Sequence, residues 1–99
     1  MTQEELRTEL ESYDIKGATL KQLIADRDIA RDMYKSLSNL YGVIFHASNT
    51  VWATRSSEDL ENANSKLFET VRLEADMRFK HMCRLADEID ERLSKMGNN

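Results

Sequence analysis

Apolar residues recur along two stretches of this chain in a seven-residue rhythm. Ala30, Met33, Leu37, Leu40, Ile44, Ala47 and Val51 follow a three-four spacing, and Ala75, Phe79, Met82, Ala86, Ile89, Leu93 and Met96 follow a four-three spacing. Positions three and four apart share one face of an α-helix, so each stretch predicts a helix that buries a seam against other helices. Thr2 with Glu5 has the form of a capping box, and Leu6, Leu10 and Tyr13 give a short first helix, about residues 2–13, one apolar edge. Gly17 suits the left-handed backbone that ends helices. Thr19 with Gln22 opens a second helix that reaches about residue 53, with Gly42 inside it at roughly 1 kcal/mol against alanine. Thr54-Arg55-Ser56-Ser57 breaks the pattern, and a third helix runs over about residues 57–96 before Gly97.

The two long helices, roughly 50 to 60 Å each at 1.5 Å per residue, are joined by a short connection and should fold back on one another. The expected fold class is all-α: a single domain over residues 1–99 with a short N-terminal helix followed by a long antiparallel helical hairpin. A second apolar row complicates that picture. Tyr34, Tyr41, Phe45 and Trp52 stand seven, four and seven residues apart, about 80° to 120° from the first stripe. Leu60, Leu67, Phe68, Val71 and Leu85 similarly widen the stripe of the third helix. Two apolar faces exceed what a lone hairpin hides, so hairpins are expected to pair into a helical bundle, a homodimer. The four aromatic residues are the candidate oligomer interface or partner-binding surface, unless the first helix covers them. Asn64 and Arg78 interrupt the third stripe: a buried asparagine fixes register, and Arg78 needs an acceptor such as Glu74 one turn earlier.

Composition changes the picture only in outline. With 40% apolar and 32% charged residues the chain is neither disordered nor membrane-spanning, and Val43-Ile44-Phe45 falls far short of the run of about 20 that a span needs. The start, Met-Thr-Gln-Glu-Glu, resembles no signal or transit peptide, and the lone Cys83 suits a reducing compartment, so a cytoplasmic location is expected.

Chemistry is sparse. His46 and His81 have no carboxylate, histidine or cysteine three or four positions away on their own helices. Glu74, His81 and Glu88 line one flank at about 10 Å intervals, too far apart to share an ion, and read as a solvated face. Cys83 lies two residues from His81 and points elsewhere. The three glycines are scattered, which excludes a phosphate loop. No enzyme activity, cofactor or metal is expected.

Residues 2–24, with Leu6 and Leu10, then Asp14-Ile15-Lys16-Gly17, then Leu23-Ile24, resemble a helix-extended-loop-helix segment of the SAP type. That resemblance implies contact with DNA or RNA. It covers a quarter of the chain, and its basic cluster is reduced here to Lys16 and Lys21 beside Glu4, Glu5, Glu9 and Glu11. The net charge of −4 also opposes phosphate binding. An alternative reading as a nucleic-acid or nucleotide-phosphate binder rests on the basic rows Arg27, Arg31, Lys35 and Lys80, Arg84, the first of which is interleaved with Asp26, Asp28 and Asp32. The leading reading is a small acidic helical module that self-associates and binds another protein by occlusion or scaffolding. That class is common among accessory and inhibitor proteins of bacteria and their phages.

Overall fold

The structure, a computed structural model, describes the backbone of residues 2–54 and 58–97 and the side chains of residues 2–46, 62–63 and 65–97. Three helices account for most of it: α1 (Gln3–Glu11), α2 (Leu20–Thr54) and α3 (Glu58–Gly97). No strand occurs among the described residues. Trp52 and Asn64 lie outside the described side chains.

The capping box at α1 is formed. Thr2 Oγ1 accepts the Glu5 N–H at 3.1 Å, and Glu5 Oε2 accepts the Thr2 N–H at 3.4 Å. Ser12 caps the other end in right-handed backbone, φ −85°, so α1 stops without a left-handed residue. Gly17 is not left-handed either, contrary to the expectation from sequence. Its N–H donates to Asp14 Oδ1 at 3.0 Å, and a Cβ there would collide with that carboxylate. Space, not backbone angle, favours glycine at this turn. Thr19 Oγ1 then accepts the Gln22 N–H at 3.1 Å and opens α2.

α2 and α3 pack together, and their partners meet in reverse order. Leu23 joins Leu85 and Ile89, Tyr34 meets Phe79, and Tyr41 and Phe45 meet Phe68. The buried apolar residues of this contact are Leu23, Ala30 and Ile44 on α2 and Val71, Leu85 and Ile89 on α3. With half-buried Leu37, the α2 set repeats every seventh residue. Met33 and Leu40 of the expected α2 stripe, and Phe79, Leu93 and Met96 of the α3 stripe, are exposed instead. The reason is geometric: one neighbouring helix seals only the line of closest approach, and residues to either side need further helices to cover them.

The result is a rod. Its extents are 64 × 24 × 14 Å and its radius of gyration is 18.0 Å, against about 13 Å for a compact chain of this length. Its accessible surface is 7109 Å², where a compact monomer of this mass exposes about 5,800 Å².

α1 lies along α3. Gln3 Nε2 donates to the Thr70 carbonyl at 3.5 Å, Leu6 is buried, and the Tyr13 ring meets His81 edge-on at 5.2 Å. The flank carrying His81 and Glu88 is therefore buried, not solvated as its spacing suggested. The α1–α2 connection covers the rest of that flank, held by Lys16 Nζ to Glu88 Oε2 at 2.9 Å. Arg92 completes the clamp: Nη1 donates to the Ala18 carbonyl at 2.6 Å, and Nη2 donates to those of Ile15 at 2.9 Å and Lys16 at 3.2 Å. Backbone acceptors left over where the chain turns are thereby satisfied from α3.

Candidate interaction surface

The aromatic row of α2 meets rings of α3. Tyr34 lies 5.1 Å from Phe79 and Tyr41 lies 4.3 Å from Phe68, centroid to centroid, and both tyrosines are half-buried. Phe45 reaches Phe68 at 6.4 Å but stays 50% exposed. α1 packs on a different flank of α3 and makes no comparable set of contacts with α2. The row is thus partly engaged inside the chain and partly open at Phe45.

A second line of apolar side chains on α2 is more exposed. Ile29, Met33, Leu40 and Val43, with Ser36 between them, follow a strict four-three rhythm one position removed from the buried set of Ala30, Leu37 and Ile44. Val43 is 65% exposed and Ile29 55%. Leu67 of α3 is also exposed. A groove of about 340 Å³ runs beside Ser36, between Met33 and Leu37 on one side and Glu74 and Arg78 on the other. Charge is distributed unevenly along this helix. Asp26, Arg27, Asp28, Arg31, Asp32 and Lys35 crowd its first half, and from Ser36 to Thr54 there is no Asp, Glu, Lys or Arg.

No known protein family matches this chain. Comparison with curated proteins and with solved structures likewise finds no match.

The basic rows are mostly spoken for locally. Arg27 pairs with Asp28 at 3.1 Å, Arg31 with Asp28 and Asp32 at 3.5 Å each, and Lys80 with Asp76 at 3.0 Å. Lys35 and Arg84 form no ion pair among the described residues. Arg84 borders a cleft of about 390 Å³ between α1 and α3, with Arg7, Lys80 and His81 on its walls and Glu11 and Asp76 offsetting them. Lys16, the basic residue of the SAP-like segment, is engaged by Glu88.

A polar junction lies where the three helices meet. Arg78 Nη2 sits 3.8 Å from Glu74 Oε1, the acceptor its position suggested, while its Nε is buried and makes no hydrogen bond. His81 is buried with its Nδ1 likewise unbonded. Burial, and then the charges of Arg84 and Arg78, hold the imidazole below its ordinary range against the opposing pull of Asp26. Tyr13 donates its hydroxyl to Asp26 Oδ2. Burial first, then that hydrogen bond and the carboxylate charge, push the phenol up to about 12, so it stays a donor at neutral pH. Tyr13 and Arg92 are the functional-scale contacts that sequence reasoning missed, because their partners lie far away along the chain.

Among the described residues no group of three His, Cys, Asp or Glu could hold a metal ion. Cys83 is a half-buried free thiol. No described helix is long and apolar enough to cross a membrane.

Proposed function

We propose that this chain is a non-enzymatic protein–protein interaction module, an antiparallel helical hairpin that self-associates into a bundle and acts by occluding or scaffolding a partner protein. The observation that supports it is apolar surface left open along the rod: Ile29, Met33, Leu40 and Val43 on one side of α2, Phe45 on another, and Leu67 on α3 are all 42% or more exposed. A line of exposed apolar side chains along one face of a helix, as at Ile29, Met33, Leu40 and Val43, marks an association surface. Phe45, the exposed ring among the described members of the aromatic row, is the anchor offered to a different protein, with Tyr41 and Trp52 as its neighbours in the row.

The test is capture from the cells that make the protein. Wild type and Phe45→Ala, matched for helicity, are compared as baits. The reading expects a protein retained by wild type and lost from the variant. Equal retention by both would remove the aromatic row from the function. An anion-binding role has one feature in its favour, the cationic wall formed by Arg7 and Arg84 in the α1–α3 cleft. Steeply salt-dependent retention on a phosphate-rich column would support it instead.

A further inference from the structure

We propose that the outer seam of α2 is the docking site for a second copy of this chain, antiparallel about a two-fold axis that passes beside Ser36. The inference rests on the self-association reading and specifies its surface and orientation.

The seam is Ile29, Met33, Ser36, Leu40 and Val43, a four-three-four-three series on the face left open by α3. Reversed on itself about Ser36, such a series matches at its centre and both ends and is offset by one residue between them. With Ser36 opposite itself, Ile29 falls opposite Val43 of the second copy, and Met33 falls within one residue of its Leu40. The smallest side chain of the series then sits at the axis, where two helix backbones approach most closely. The groove beside Ser36, lined by Asp32, Met33, Leu37, Glu74 and Arg78, lies where side chains of the second copy would enter.

Charge selects the orientation. Every Asp, Glu, Lys and Arg of α2 precedes Ser36. In the antiparallel arrangement the charged half of one α2 runs beside the uncharged half of the other, and Asp32, whose side chain is 71% exposed, falls level with Leu40, beside Asn39 and with no like charge opposite. In a parallel arrangement each Asp32 would face another Asp32, a like-charge contact. The chain as a whole also has surface to spare. The surface of one chain exceeds the compact-monomer value by about 1,300 Å², and a standard interface takes about 800 Å² from each partner.

The experiment places single cysteines on a Cys83→Ser background and joins them with mild oxidation or a short bismaleimide, alongside the molar mass of each variant in solution. Ser36→Cys should give a covalent dimer in high yield. Ile29→Cys alone should not, because its two copies stand about 20 Å apart along the axis at 1.5 Å per residue, whereas a mixture of Ile29→Cys and Val43→Cys chains should. Val43→Glu, at the most exposed apolar position, should reduce the mass to that of one chain without loss of helicity. A dimer by mass in which Ser36→Cys stays unlinked would overturn this surface while leaving self-association standing. Strong linking of Ile29→Cys to itself would overturn the orientation, and a monomer at all concentrations would overturn both readings.

Discussion

Replacing Arg92 by methionine should cost the fold about 3 kcal/mol. The substitution keeps the apolar stem and deletes the guanidinium, which donates to three backbone carbonyls, those of Ile15, Lys16 and Ala18, and through Nε to Glu88 Oε1 at 3.0 Å. Hydrogen bonds from a charged donor contribute roughly 1.5–3 kcal/mol each when shielded. The Arg92 side chain is 24% exposed, and water can replace part of what is lost, so the low end of that range applies to the two shorter carbonyl bonds and little is added for the third. A chain of this size loses about 4–8 °C of melting temperature per kcal/mol, which places the expected drop near 15 °C. The assay is thermal melting by circular dichroism at matched protein concentration, since association would make the midpoint concentration-dependent. Amide hydrogen exchange adds a local readout: residues 13–18 should lose protection before the α2–α3 contact does. Arg92→Lys should recover only part of the loss, because an ammonium cannot span three carbonyls from one fixed plane. A drop of less than about 4 °C for Arg92→Met, with residues 13–18 still protected, would refute the idea that this side chain holds the connection to α3.

Leu85→Ala, at a side chain with 0% exposure, should destabilise by about 2–5 kcal/mol in urea titration, and its effect should not add to that of Leu23→Ala because both leucines line one cluster. Gly42→Ala should raise the melting temperature by about 4–8 °C, since a Cβ there meets nothing within 4 Å and alanine favours a helix interior by roughly 1 kcal/mol. His81 predicts a pH dependence. Its folded-state pKa is lowered by burial and by Arg84 and Arg78, so the unfolded chain binds more protons below the ordinary histidine range. Stability contributed by the neutral ring is complete above that range and is lost as pH falls through it; urea midpoints between pH 7.5 and 5.5 should decline more for wild type than for His81→Gln, which retains His46.

Local features were readable from the residues, and features set by distant partners were not. The Thr2 and Thr19 caps follow from side chains three positions from their acceptors, and both are formed as expected. Helix identity followed from apolar spacing. The seam itself is narrower than the spacing suggests: spacing alone gives Met33 and Leu40 the same standing as Ala30 and Ile44, and only the direction from which α3 approaches separates exposed from buried. The solvated reading of the Glu74, His81 and Glu88 flank failed at His81 and Glu88 for a related reason, since the chain's own Tyr13 and Lys16 cover them. Arg92 carried no sequence signal beyond Glu88 one turn earlier, because its carbonyl acceptors are 74 to 77 residues away. Of the aromatic row, the period was legible, but the rings of Phe68 and Phe79 that receive Tyr41 and Tyr34 are chosen by the register of α2 against α3.

A single rod of this chain leaves Ile29, Met33, Leu40 and Val43 open with nothing among its described residues to shelter them. Molar mass measured by light scattering or sedimentation equilibrium across a range of concentrations tests that most directly. Twice the 11.5 kDa of one chain is the predicted result at micromolar concentration and above. A mass of one chain throughout, with the hydrodynamic radius of a compact particle, would contradict it.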